Sequence, residues 1–209
     1  MDFVPIMLNV SDIRVVVFGG GEAAFKKVRN LAQHCRQISV VSSEFHPEFK
    51  ALNADFIKTE ITDAGIVEKH ARKGDMAIIA TDDGALNTAL AARCRDLGIL
   101  YNRIDDDSSP FIFPASFETG GVVVSVSTLG KSPSFARYLS EQLKVQVSGY
   151  IKALPVIETL RIETREKDFH LRSEYFWKLL HEKDFWKFID EGDEKGAYSF
   201  GVRYRGNFW

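Results

Sequence analysis

Cysteine is scarce in this chain, with only Cys35 and Cys94 among 209 residues. They stand in separate helical patterns, forming neither a C-x-x-C pair nor a Cys/His cluster of zinc spacing. They read as reduced structural thiols. The five histidines, His34, His46, His70, His170 and His181, are scattered, and nothing pairs them as metal ligands or with a nucleophile. No metal site is expected. An excess of one charge is also missing. Lys and Arg number 27 against 29 Asp and Glu, a net charge of -2. No basic stripe dominates, so nucleic acid is not an expected partner. No apolar run approaches the roughly 20 residues that span a bilayer. The opening MDFVPIMLNV has neither a basic leader nor a long apolar core, and so does not read as a signal peptide. No membrane partner is expected, and the expected location is cytoplasmic. Internal repeats and low-complexity segments are absent as well. What remains is the composition of an ordinary globular chain, 45% hydrophobic and 27% charged. Its length suffices for one full core with a smaller appended unit.

Strand and helix patterns alternate through the first half. Strands are expected at 13–18, 37–41, 55–58, 75–80 and 99–104, and helices at 22–33, 44–52, 63–72 and 84–97. Such an order predicts an α/β fold with a Rossmann-like parallel sheet covered on both faces. The pattern then changes. Two β-rich runs, 111–117 and 121–127, are joined by Glu118-Thr119-Gly120, and a helix over 133–147 follows, with Ser132 as N-cap and Pro133 at its first position. Phe135, Leu139 and Leu143 form the apolar stripe of that helix. Two strands and one helix are too small to bury a core, so this segment is expected to pair with its counterpart in a second subunit. From Gly149 the chain reads as helical; its aromatics, Phe169, Tyr175, Phe176, Trp177, Phe185, Trp186 and Phe188, either bind a ligand or fill a unit short of residues, and its tail, 198–209, shows no clear period. The expected division is therefore 1–114 for the nucleotide-binding domain, 115–147 for a β-β-α dimerisation segment and 148–209 for a C-terminal helical region.

The strongest chemical signal is Ile13–Lys27, IRVVVFGGGEAAFKK. A β-branched run enters Gly19-Gly20-Gly21, and a helical pattern follows. The glycines fit G-x-G-x-x-A, with Gly19 at the tight turn, Gly21 where backbone approaches a pyrophosphate, and Ala24 where the helix packs on the strand. Gly19, Gly20, Gly21, Glu22 and Ala23 are the expected cofactor-binding residues of this turn, with unpaired N–H groups at the helix start holding the phosphates. About twenty residues on, the second strand ends in Ser42-Ser43-Glu44. Ser42 is placed beside the cofactor; Glu44 either reaches the ribose or serves as a helix N-terminal acid. No Arg or Lys stands there, which favours NAD over NADP.

Further clusters fall at strand ends, outside which ligands bind in such sheets. Thr81 and Asp82, within ATDD, are expected to contact the cofactor; Asp83 is either a contact or the cap of the next helix. After the fifth strand comes YNRIDDD, Tyr101–Asp107, read as a site or as an Asp-rich turn. Asn102 there is a further expected cofactor contact, and Asp105, nearest the strand tip, is the expected catalytic carboxylate. Lys131, Ser132 and Arg137 at the start of the helix over 133–147 form either an anion-binding group for the substrate or a capped helix with surface charges. Phe111 and Phe113 would wall a flat ligand.

Taken together, GGGEAAFKK, ATDDGALN, YNRID, FIFPASF and VSTLGKSPSFARYL resemble, in order and spacing, the precorrin-2 dehydrogenase / sirohydrochlorin ferrochelatase family over residues 3–147. The resemblance implies an NAD-dependent oxidation of precorrin-2, a tetrapyrrole, to sirohydrochlorin on the way to siroheme. It also implies a homodimer whose β-β-α segment exchanges between subunits. The aspartate at the N-x-x-D position, here Asp105, would serve dehydrogenation and, in some members, metal insertion. Arg103 and Ile104 replace the small residues usual between Asn102 and Asp105, and Leu129 stands where glycine is common. The C-terminal region is not matched, so ferrochelatase activity stays open. A second reading is a dimeric NAD-sensing regulatory module without catalysis.

Overall fold

The computed structural model describes residues 3–106 and 108–209, in two units, Met1–Phe113 and Pro114–Trp209. The segments 115–147 and 148–209 both fall in the second.

In the first unit, β1 (Arg14–Phe18), β2 (Gln37–Ser42), β3 (Asp55–Lys58), β4 (Met76–Ile79) and β5 (Leu100–Arg103) form one parallel sheet in the order β3-β2-β1-β4-β5. The helices are α1 (Glu22–Leu31), α2 (Ile66–His70) and α3 (Gly84–Asp96). The Rossmann-like sheet expected from the alternation is present. Its central strands are continuous apolar runs because both faces are covered. Val15, Val17, Val40 and Ile78 point into one cluster with Ala24, Phe25 and Val28 of α1. Val16, Phe18, Val41 and Ile79 point into the other with Val67, Leu90 and Cys94. Period-two alternation thus divides each strand between two cores. The register sets Phe18 beside Val41 and Ile79, and Ile79 beside Arg103, so these strands finish at a common carboxyl edge. The order reverses between β1 and β4, the switch point at which such sheets open a crevice.

Several local expectations change. The pattern at 44–52 yields only a 3-10 turn, Pro47–Ala51, and that at 63–72 contracts to α2. The β-rich run at 111–117 is not a strand until β6 (Ala115–Thr119), which pairs antiparallel with β7 (Val122–Val126). Pro114 cannot donate to a ladder, and the Phe111 carbonyl is taken by Asn102. The hairpin link is Gly120-Gly121, not Glu118–Gly120. Both glycines have positive φ (52° and 80°), as a two-residue turn matching strand twist requires.

In the second unit, α4 (Pro133–Tyr150) covers the hairpin, N-capped by Ser132. Four more helices follow: α5 (Leu154–Glu163), α6 (Phe169–Leu179), α7 (Lys183–Asp190) and α8 (Glu194–Tyr204). Their core holds Val156, Leu160, Tyr175, Leu179, Phe185 and Ile189. Burial pushes the Tyr175 phenol up to about 12, and its hydroxyl donates to the Gly201 carbonyl at 2.9 Å. Tyr175 and Phe185 are core, and Phe176, Trp186 and Phe188 pack against it, whereas Phe169 and Trp177 are 66% and 68% exposed. The tail without a period is nonetheless helical. α8 buries only Ala197 and Gly201, residues too small to register as an apolar stripe.

Candidate active site

The glycine turn ends β1 at the switch point. Gly19 has φ 114°, and a Cβ there would stand 2.2 Å from the Ala80 carbonyl oxygen. A Cβ at Gly20 would stand 2.1 Å from the Glu44 carbonyl oxygen. The turn is therefore pressed between the chain leaving β4 and the chain leaving β2. Its backbone is tied to the latter: Gly19 N–H donates to Val41 O at 2.9 Å, and Gly20 O accepts from His46 N–H at 2.7 Å. Gly21 differs. A Cβ there would meet nothing within 4 Å, so the space before the first turn of α1 is open. Gly21 is the N-cap, no side chain caps the helix, and the first helical bond runs from Phe25 N–H to Gly21 O. The N–H groups of Glu22 and Ala23 stand at an exposed helix start, where the backbone dipole favours an anion. Room, donors and dipole fit a dinucleotide pyrophosphate. The Glu22 side chain turns away to pair with Lys26 at 2.7 Å. Ser42 is half-buried at the tip of β2, beside Gly20, while Ser43 and Glu44 are exposed.

The end of β4 is joined to the end of β5 by one buried amide. Asn87 of α3, 1% exposed, accepts the Thr81 hydroxyl at 2.6 Å and returns its Nδ2 to the Thr81 carbonyl at 3.0 Å. The same Nδ2 donates to Asp105 Oδ2 at 3.0 Å. Asp105 also receives a two-pronged Arg103 guanidinium, Nε to Oδ1 and Nη2 to Oδ2, each at 3.0 Å. Arg103 reaches on to Asp106 at 3.2 Å and to the Thr88 hydroxyl at 3.1 Å. The guanidinium first, then the Asn87 amide, hold the Asp105 carboxyl below the usual carboxylate range. Asp106 is also held low, mainly by the Ser108 hydroxyl and N–H. Asp107 lies outside the described residues. Asp83 caps α3, accepting from Ala85 and Leu86 N–H at 2.9 and 3.0 Å, and Asp82 is exposed.

Asn102 is 5% exposed. Its Nδ2 donates to the Phe111 carbonyl at 2.9 Å, while its buried Oδ1 has no partner among the described residues. Phe111 and Phe113 meet edge to face, 5.3 Å between centroids.

The groups read as substrate-binding are in the second unit. Ser132 accepts the Phe135 N–H at 3.2 Å as a helix cap, and Lys131 is exposed. Arg137 is exposed and pairs with Glu141 at 3.2 Å. Leu129, just before them, takes φ 53°, which explains why glycine suits that position; a side chain there costs about 1 kcal/mol. Among the described residues no three or more His, Cys, Asp or Glu gather as for a metal, and no helix is long and apolar enough to cross a membrane.

Two features went beyond the sequence reading: the two-pronged Arg103–Asp105 pair, and Asn87 as the link between strand ends. The first had a signal, since residues i and i+2 of an extended chain share a side. The second had a signal in Asn87 following the ATDD run at the end of the fourth strand.

A sheet reversing at this point, with a glycine turn opening onto an uncapped helix, defines a dinucleotide-binding protein of the Rossmann type. Residues 6–115 match the family model described as "Putative NAD(P)-binding", and the chain belongs to that family. It is 29% identical over 203 residues to the siroheme synthase of Nitrosomonas europaea, covering 96% of this chain and 43% of that one. It is 28% identical over 205 residues to the precorrin-2 dehydrogenase of Methanosarcina barkeri, covering 94% and 91%. A solved structure titled SirC, precorrin-2 dehydrogenase, superimposes with a TM-score of 0.69 at 18% identity, over 99% of this chain and 100% of that one. The chain thus spans less than half of the siroheme synthase and nearly all of the Methanosarcina barkeri dehydrogenase.

Proposed function

We propose that this chain is an NAD-dependent dehydrogenase that oxidises precorrin-2 to sirohydrochlorin in siroheme biosynthesis, acting as a cytoplasmic homodimer. The observation that carries the reading is an ionised Asp105, locked by Arg103 and Asn87 to the strand end that presses on the glycine turn. The likeness to proteins named precorrin-2 dehydrogenase and siroheme synthase supports the substrate. The absence of Arg or Lys at Ser42-Ser43-Glu44 supports NAD over NADP.

The bound nicotinamide supplies the hydride acceptor. Gly20, Gly21, Glu22 and Ala23 hold the pyrophosphate through N–H groups, with Ser42, Thr81 and Asp82 around the rest of the nucleotide. Asn102 anchors the Phe111–Phe113 wall. Loss of hydride leaves positive charge on the macrocycle, which the Asp105 carboxylate stabilises. The accompanying proton passes to Oδ1, the less engaged of its two oxygens. A low pKa suits the first task more than the second, so the charge contributes more than the basicity. Lys131, Ser132 and Arg137 bind the carboxylates of the substrate. Supplying precorrin-2 and NAD to the purified protein is expected to yield reduced nicotinamide. NAD binding without any reduction would favour the sensing module instead.

The homodimer rests on the β6-β7-α4 segment. Within it α4 buries only Ala136 and Ser140. Leu139 and Leu143 are half-buried, whereas Phe135, Tyr138 and Val145 are 52%, 55% and 75% exposed. Such a face gains roughly 25 cal/mol for each Å² of apolar surface it buries. Sedimentation at micromolar concentration is expected to give a species of twice the 23.6 kDa chain mass; a monomer alone would remove the dimer. The two buried free thiols, Cys35 and Cys94, suit a reducing compartment.

A further inference from the structure

Two adjacent lysines of α1 have different surroundings. Lys26 is exposed and pairs with Glu22 one turn back. Lys27, rotated about 100° around the helix, is half-buried, with its Nζ 4.7 Å from the centre of the Phe113 ring. That ring is a fixed platform. It abuts Phe111, whose carbonyl is held by Asn102, and both rings pack on the apolar cluster that contains Ala24, Phe25 and Val28. The segment bearing them issues from β5 at the carboxyl edge, close in sequence to Asp105. Among the described residues Lys27 forms no ion pair, and burial lowers its pKa below the ordinary lysine value. The face of an aromatic ring returns only part of the solvation an ammonium loses, about 0.5–2 kcal/mol. An incoming anion would restore the rest.

We propose that Lys27, seated on Phe113, binds an anionic oxygen of the ligand held at the carboxyl edge, either a pyrophosphate oxygen of the dinucleotide or a peripheral carboxylate of the tetrapyrrole. The assignment rests on the dehydrogenase reading above and adds a binding residue to that site. The competing role is packing, in which the aliphatic stem covers apolar surface and the charge does nothing.

Lys27→Met separates these roles, because it keeps an unbranched apolar stem and removes the charge; Lys27→Gln and Lys27→Arg complete the set. Each is titrated with NADH by fluorescence and assayed for precorrin-2 KM and kcat, with melting temperature as the control for folding. Losing a charge-assisted hydrogen bond is expected to weaken one ligand about 10- to 100-fold, with kcat retained and Lys27→Arg restoring most of the affinity. A loss confined to NADH, matched by competition from inorganic pyrophosphate in the parent but not in Lys27→Met, assigns the phosphate source. A rise confined to precorrin-2 KM assigns the carboxylate. Unchanged affinity for both ligands in a stably folded Lys27→Met or Lys27→Gln overturns the proposal and leaves the dehydrogenase reading intact. A parent protein that binds neither ligand removes both.

Discussion

Asp105→Ala is expected to lose about 10²–10⁴-fold in dehydrogenase turnover while binding NAD with near-normal affinity. Among the described residues the carboxylate is hydrogen-bonded to the nucleotide side through the Asn87 amide, which keeps its three bonds to Thr81 when Asp105 is removed. The end of β4 that contacts the glycine turn should therefore stay in place. Arg103 loses its two-pronged partner but keeps Asp106 and Thr88, so the variant should fold. Asp105→Asn tests the electrostatic part of the role, because it preserves shape and removes charge. A loss nearly as large as in Asp105→Ala would show that charge is what matters. The guanidinium and the Asn87 amide lower the carboxyl pKa, so the group stays ionised as pH falls through the ordinary carboxylate range. The acid limb of kcat/KM should lie below that range. Asp106→Ala should cost far less, since Asp106 is fastened to Ser108 in the turn. Near-normal steady-state turnover in Asp105→Ala, or a larger loss in Asp106→Ala, would place the reacting carboxylate elsewhere.

Gly21→Asp is the second large effect, and here stability and function should separate. The backbone at Gly21 is extended, with φ -76° and ψ -177°, and its Cβ direction is empty. An aspartate fits there without strain. At a helix N-cap it even satisfies free N–H groups, so the melting temperature should correspond to a stability within about 0.5 kcal/mol of the parent. Those N–H groups are the ones the pyrophosphate needs, and the new carboxylate repels it. Like charges about 4 Å apart cost roughly 1 kcal/mol in water and about 4 kcal/mol nearer a protein surface. Each of the two phosphates is subject to this, and NAD affinity should fall by about 100-fold or more. Calorimetric titration checks it. Unchanged affinity in the folded variant would remove the dinucleotide from this turn.

The parallel sheet and the glycine turn are legible in the sequence. Val15–Val17 is a β-branched run leading straight into three successive glycines, and both signals are local. The aromatic-rich C-terminal core was legible for the same reason, because large side chains in a small unit have few other uses. What the sequence could not state was which polar groups meet. Asp105 reads as a carboxylate at a strand tip; only the fold brings Asn87, eighteen residues earlier, to its Oδ2. The adjacent Lys26 and Lys27 read alike in the sequence, until helix rotation gives one a carboxylate and the other an aromatic ring. Elements shaped by close packing of small residues were also hidden, as in α8, whose buried face carries no hydrophobic period. Local preference and periodicity, properties of neighbouring residues, determined the strands, the turn and the class of cofactor. The ionisation of Asp105 and the contacts of Lys27 depend on groups that only tertiary packing brings within a few ångströms, and so the tertiary structure decided them.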